Sequence, residues 1–204
     1  MVQMVVQRVA ELFTMIHNRH PLIHQITNNV TINDCANVTL AIGASPVMAT
    51  SVEEVADMVN LANALVINFG TVDDHMYKAM VRAGEAANER GIPVIFDPVG
   101  VGATRFRTEK ARELLRHVNI AIVRGNASEV YALCGGTATT RGVDAGTVRL
   151  PVNEIAMKAA QQFRCITVVS GEQDVVADER SFVKVVNGDQ RLTKVTGTGC
   201  MATA

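Results

Sequence analysis

The feature that most constrains this chain is a repeated pairing of short apolar runs with helical segments. Residues 64–69, 93–96, 120–123 and 166–169 are apolar runs of strand length. Such runs suit strands buried on both faces of a parallel sheet. Helical patterns separate them. Val52, Val55, Ala56, Val59 and Ala62 line one face of a segment opened by a Ser51/Glu54 capping-box pattern. Residues 73–89 form a further helix closed by Gly91, residues 108–117 another, and residues 127–133 start one more. Val152, Ile155, Ala156, Ala159, Ala160 and Phe163 mark one after that. Strand and helix in alternation predict βαβ units, hence an α/β fold with a mostly parallel central sheet and helices on both faces.

The flanks fit the same plan. Val5, Val9, Leu12, Phe13 and Ile16 predict an opening amphipathic helix. Residues 22–26 and 47–49 are short strand candidates, with a helix over 31–42 between them that ends at Gly43. Residues 135–150, rich in Gly and Thr, read as a loop. Residues 175–177 and 182–186 predict a hairpin around Asp178-Glu179-Arg180. At 204 residues one domain, spanning 1–204, is the expectation. With 4% aromatic residues and no Trp, the core falls to Val, Ile, Leu, Ala and Met. A net charge of −1 gives no footprint for nucleic acid or an anionic membrane surface. No apolar run is long enough to span a bilayer. The cysteines Cys35, Cys134, Cys165 and Cys200 form no CxxC and read as free thiols of a reducing cytoplasm. Cys35, Cys134 and Cys165 read as small core residues, and the five histidines show no metal-ligand spacing.

In such folds ligands gather beyond the carboxyl ends of the strands. Asn68, Asp97, Arg124, Asn126, Glu172 and a Gly197 turn all fall there. Val195-Thr196-Gly197-Thr198-Gly199-Cys200-Met201-Ala202 reads as a strand end, a glycine turn and a first helical turn. Free backbone N–H groups and a positive helix end would surround one small volume, suited to phosphate, with Cys200 beside it. The string also fits G-x-G-x-x-A, but a dinucleotide fingerprint requires a following βαβ unit and acidic residue. Asp97-Pro98-Val99-Gly100-Val101-Gly102 offers either a carboxylate for magnesium beside a polyphosphate or a hydrogen-bonded turn. Arg124-Gly125-Asn126-Ala127-Ser128-Glu129 offers either a helix cap or an arginine for phosphate with a carboxylate near metal. Around Asn28 and Met48 the residues read first as helix cap and core. A pocket using Asn28 as hydrogen-bond partner and Met48 as apolar wall is the other reading.

Taken together, Thr27-Asn28, residues 31–37, Gly43-Ala44-Ser45-Pro46, Asn68-Phe69-Gly70-Thr71, residues 97–103, 124–129 and 195–201 resemble the hydroxyethylthiazole kinase family of the ribokinase-like superfamily. The resemblance implies transfer of the ATP γ-phosphoryl group to the hydroxyl of 4-methyl-5-(2-hydroxyethyl)thiazole, with Mg²⁺, in thiamine biosynthesis or salvage. It implies thiazole at Met48, nucleotide at Arg124, Ser170 and Gly199, substrate and phosphate at Gly197, and magnesium and phosphate at Asp97 and Glu129. Ser170 stands where the family commonly has Thr. Superfamily relatives usually carry an Asp base at the Cys200 position, so Cys200 becomes the expected base. The resemblance further implies a homotrimer. It also implies that family members continue past residue 204 with helices completing the anion site, so an exposed apolar sheet face is expected here. Two readings compete: an ADP- or ATP-dependent hydro-lyase acting on hydrated nicotinamide cofactors, and a non-catalytic nucleotide- or thiazole-binding protein.

Overall fold

A computed structural model describes residues 2–136, 139–141, 144–147 and 150–204. Its centre is an eight-stranded sheet, and the continuous apolar runs supply its middle. The strands are β1 (Leu22–Ile26), β2 (Ser45–Val47), β3 (Ala64–Asn68), β4 (Val94–Asp97), β5 (Ile122–Asn126), β8 (Ile166–Ser170), β9 (Asp174–Ala177) and β10 (Phe182–Val185). Their order is β10-β9-β8-β5-β4-β3-β1-β2. From β2 to β8 every pairing is parallel, and β9 and β10 add an antiparallel edge. The expected α/β architecture is thus observed, including the hairpin. In that hairpin Asp178 Oδ1 accepts the N–H groups of Arg180 and Ser181.

Alternation along the strands divides the sheet into two faces. Leu65, Ile67, Val94, Phe96 and Val123 point to one face and are fully or almost fully buried. There they meet α3 (Val55–Leu61), α4 (Asp74–Arg90), α5 (Arg105–His117) and α6 (Ala127–Leu133). Phe69 and Phe96 pack edge to face at 4.9 Å within this core. Farther along, Val169, Val175 and Ala177 pack with Ile155, Ala156, Ala159 and Ala160 of α7 (Val152–Phe163). The opposite face carries Asn68, Asp97, Arg124 and Ser170, and α2 (Ile32–Ala41) and α8 (Thr198–Thr203) lie over part of it. Toward the antiparallel edge this face stays open: Val168 and Val176 are half-buried, and Val183 and Val185 are exposed.

Several boundaries differ from the sequence reading. β2 lies two residues earlier than expected, at Ser45–Val47, because Ser45 N–H bonds Pro21 O and draws the chain against β1 at once. Ser51 caps a turn before α3 rather than the helix itself. Its carbonyl accepts from Glu54 and Val55, its hydroxyl oxygen from Glu53, and the helix begins only at Val55. α5 starts at Arg105, where Thr104 Oγ1 accepts the Arg107 N–H. β5 runs to Asn126 because Arg124, Gly125 and Asn126 pair with Val168, Val169 and Ser170. Within the segment read as a loop, β6 (Thr139–Arg141) and β7 (Asp144–Thr147) pair antiparallel. β-Branched Thr139, Thr140 and Thr147 favour the extended form. Residues 135, 136 and 150 lie outside helix and strand, as read, and residues 137, 138, 142, 143, 148 and 149 lie outside the described residues. Val195 belongs to no strand. A single 3₁₀ segment, Gln190–Lys194, capped by Asp189, delivers the chain to Gly197 instead.

The opening helix α1 (Val2–Arg19) forms as expected, but its apolar side is not buried. Val5, Val9, Leu12 and Phe13 are between 42% and 58% exposed. Its C-terminal end is held at Gly43, whose carbonyl meets His20 Nδ1 at 3.0 Å.

Candidate active site

The carboxyl ends of the parallel strands form a row of polar side chains, and a hydrogen-bonded chain joins its middle. Asn28 follows β1, Asn68 ends β3 and Asp97 ends β4. Asn28 Nδ2 donates to Asn68 Oδ1 at 3.0 Å, and Asn68 Nδ2 donates to Asp97 Oδ2 at 2.9 Å. Strand register sets this spacing, since Asn68 lies directly opposite Asp97 in the β3/β4 ladder. All three side chains are buried.

α8 closes the row. Gly197 is its N-cap, with φ +82°, and its carbonyl accepts the Met201 N–H at 2.8 Å. A Cβ at Gly197 would lie 2.2 Å from Thr31 Cγ2, so both the torsion and the space require glycine. The amides of Thr198, Gly199 and Cys200 precede the first helical bond, as at any helix start. Two side chains fix the helix on the sheet. Thr203 Oγ1 donates to Asp97 Oδ2 at 2.9 Å. Arg124 Nη1 donates to Gly199 O at 2.7 Å and to Thr203 Oγ1 at 3.3 Å. This docking brings half-buried Cys200 over the row, where its Sγ accepts Asn28 Nδ2 at 3.3 Å.

Beside Asp97 the glycine-rich turn is braced from two directions. Arg107 donates to Val99 O at 2.8 Å and to Gly70 O at 2.7 Å. Glu129 Oε1 accepts Gly100 N–H at 2.8 Å, and its Oε2 accepts Asn126 N–H at 2.9 Å. With Asn126 Oδ1 accepting Glu129 N–H, the capping box at α6 is complete. The cap expected from the sequence therefore forms, and the same carboxylate sits at the strand ends. Burial raises the pKa of Asp97 to about 6 and that of Glu129 to about 7. The Arg124 guanidinium opposes this for both.

Of the sequence-predicted residues, Asn28, Cys200, Gly197, Gly199, Arg124, Asp97 and Glu129 converge through these contacts. Ser170 ends β8, one strand beyond, and its Oγ donates to Gly125 O at 3.3 Å. Met48 lies just past β2 at the other end of the row and is half-buried. His24 pins the neighbouring residue, with Nε2 2.8 Å from Ala49 O. Burial depresses the His24 pKa, so the ring stays neutral, in keeping with a structural histidine. Cys35, Cys134 and Cys165 are buried, as expected. Glu172 is exposed and joins none of the contacts above. Two members were not singled out from the sequence: Thr203 and Arg107. A buried carboxylate at Asp97 needs donors, and Thr203 lies one helical turn beyond Cys200. That spacing was the available signal. Two cavities of about 450 and 340 Å³ lie elsewhere, around Arg164 and Arg180 and around Arg112 and Arg116. Neither cavity shares a residue with the candidate row, whose Asn28, Asn68 and Asp97 side chains are buried.

Comparison with known proteins gives the family. The model of the hydroxyethylthiazole kinase family matches residues 13–204. A hydroxyethylthiazole kinase of Ruminiclostridium cellulolyticum is 46% identical over 201 residues, covering 97% of this chain and 74% of the relative. One from Methanocorpusculum labreanum is 44% identical over 198 residues, covering 97% and 75%. The solved hydroxyethylthiazole kinase structure from Pyrococcus horikoshii superposes with a TM-score of 0.87 at 40% identity, covering 97% of this chain and 74% of that one. An adenosine kinase from Schistosoma mansoni shares the fold alone, at TM-score 0.55 and 15% identity, covering 87% and 62%. The chain belongs to the hydroxyethylthiazole kinase family.

Proposed function

We propose that this chain transfers the γ-phosphoryl group of ATP to the hydroxyl of 4-methyl-5-(2-hydroxyethyl)thiazole, in thiamine biosynthesis or salvage. The observation that carries this is Cys200 docked by α8 onto the Asn28–Asn68–Asp97 row, with Arg124 on the same sheet face. The order of the strand ends supports a division of the site. Met48 and Asn28, on the β2 and β1 side, receive the thiazole. Arg124 and Ser170, at β5 and β8, receive the nucleotide. Gly197 and Gly199 lie between, where free backbone amides suit the transferring phosphoryl group.

In the reaction the hydroxyl oxygen forms a bond to the γ-phosphorus while the bond from phosphorus to the β-phosphate oxygen breaks, and ADP leaves. The hydroxyl proton passes to the Cys200 thiolate. Phosphoryl transfer depends on positioning and charge neutralisation more than on a strong base, so a thiolate near a helix start is adequate. Asp97 and Glu129 fit a magnesium ion. They are two carboxyls whose pKa values are raised by burial, and Arg124 is the positive charge that acts against this at both. Among the described residues no group of three or more His, Cys, Asp or Glu is placed to hold a metal ion, so these two carboxyls would supply the protein's share. That donor set suits an ion that keeps waters and phosphate oxygens as its other ligands. When bound, the ion neutralises charge on the polyphosphate.

Assembly as a homotrimer belongs to the same reading, and the exposed apolar side of α1 supports a protein contact on this chain. Sedimentation at three times the monomer mass is the expected signature. A cytoplasmic location rests on the free thiols and on the lack of any described helix long and apolar enough to cross a membrane. The base assignment is tested by substitution. Cys200→Asp stays active, and Cys200→Ala loses roughly 100-fold or more in kcat, the usual range for a general base. Normal turnover by Cys200→Ala would remove Cys200 from the mechanism.

A further inference from the structure

The orientation of one side chain in the row is fixed more tightly than thiazole binding requires. Asn28 Oδ1 accepts three hydrogen bonds, from Val30 N–H (3.1 Å), Thr31 N–H (3.0 Å) and Thr31 Oγ1 (3.1 Å). Its Nδ2 faces Asn68 Oδ1, whose own role is set because it also accepts the Gly70 N–H at 2.9 Å. Rotating the Asn28 amide by half a turn would aim two backbone N–H groups at an NH₂ group and oppose two carbonyl oxygens. Gly70 packs so closely that an added Cβ would lie 2.5 Å from Asn28 Cβ, which leaves no room to swing aside. The amide therefore has one orientation. Its remaining N–H points at Cys200 Sγ, 3.3 Å away.

We propose that Asn28 is a positioning residue for Cys200: its Nδ2–H holds the sulfur as a hydrogen-bond acceptor and so favours the thiolate that receives the acceptor hydroxyl's proton. A hydrogen bond made only to the charged form of an acid lowers its pKa. The inference rests on Cys200 as the base and adds what keeps it in working form. The other groups around the sulfur divide. Cys35 on α2, kept neutral by burial, and Asp97 on β4 offer a thiolate no help. Arg124 on β5 is directed to the adjacent Gly199 carbonyl and does not bond the sulfur. Among the described residues, Asn28 is the side chain that donates to the sulfur.

The experiment follows carbamidomethylation of Cys200 by iodoacetamide from about pH 6 to about 10, read by peptide mass. The other three cysteines are buried and react later. Asn28→Asp keeps the oxygen that serves Val30 and Thr31 but replaces the donor with an acceptor. The expected result is a Cys200 titration at least one unit higher, seen as a reaction about tenfold slower near neutral pH. The kcat profile against pH moves in the same direction, while the melting curve shows an intact fold. Asn28→Ser, which adds no charge, shifts the same way by less and serves if the aspartate variant does not fold. An unmoved Cys200 titration in a folded variant overturns the proposal, even with a raised KM for the thiazole, since Asn28 would then act on substrate alone. A shifted titration together with normal turnover by Cys200→Ala overturns the base assignment and leaves the Asn28–Cys200 contact without a catalytic role.

Discussion

Gly197→Ala is the substitution whose cost can be worked most directly. Two separate terms oppose it. The backbone torsion of +82° is left-handed, which costs an L-residue roughly 1–2 kcal/mol. The new methyl group would also lie 2.2 Å from Thr31 Cγ2 and 3.0 Å from its Cβ. Thr31 cannot easily yield, because it is buried and its hydroxyl is bonded to Asn28 Oδ1. Overpacking of this kind costs about 1–3 kcal/mol. The expected total is about 2–5 kcal/mol. Thr31→Ser separates the terms, since it removes Cγ2 and keeps the hydroxyl. Alone it costs about 1 kcal/mol, near the value of one buried methyl. In the Gly197→Ala background it should instead recover the steric share. The double-mutant cycle by urea denaturation then shows a favourable coupling of about 1–3 kcal/mol. Additivity within about 0.5 kcal/mol would show that Thr31 is not what excludes a side chain at Gly197. A cost for Gly197→Ala below about 1 kcal/mol would refute the turn geometry as well.

Three further outcomes follow from the site. The raised pKa values of Asp97 (about 6) and Glu129 (about 7) mean the folded chain holds protons that the unfolded chain has released. Their stabilising contribution is full below about pH 4 and is lost as pH rises to about 7, so the urea midpoint should fall across that window. Glu129→Gln should flatten the fall, and an unchanged slope would contradict a buried, proton-holding Glu129. Magnesium with nucleotide, by supplying positive charge at these carboxyls, should also flatten it, and retention of the full slope would count against Asp97 and Glu129 as the ion's ligands. Thr203→Val leaves Asp97 Oδ2 with the Asn68 donor alone and should destabilise by about 1–3 kcal/mol in the same assay, with a matching loss of turnover as α8 loosens.

The middle of the sheet was legible because local and global preferences agree there. Residues 64–69 read as a buried strand and 64–68 form one, and α4 is capped at its start by Asp73, whose side chain accepts the Met76 N–H, and at its end by left-handed Gly91. Glu129 carried two readings, a cap and a metal carboxylate, and the capping box turns out to be what holds it at the strand ends. Less legible were features that depend on distant chain. Val195 has the residue type of a strand but no strand beside it. Thr203 gains its role only because α8 lands on Asp97, 106 residues away in sequence. Arg124 was assigned to phosphate, yet one of its nitrogens is engaged in holding α8, a partnership that no spacing encodes. α1 has a clear helical period, but a period cannot say whether the apolar side finds a partner within the same chain.

The central claim is phosphorylation of the thiazole alcohol by this row of residues. Its most direct test is ADP release from Mg·ATP by the 204-residue chain, with and without hydroxyethylthiazole, alongside phosphorus NMR of the product. Phosphorylation at this row predicts release that depends on the thiazole and matches, mole for mole, a new phosphate monoester. Release that ignores the thiazole, or no release in its presence, would contradict it.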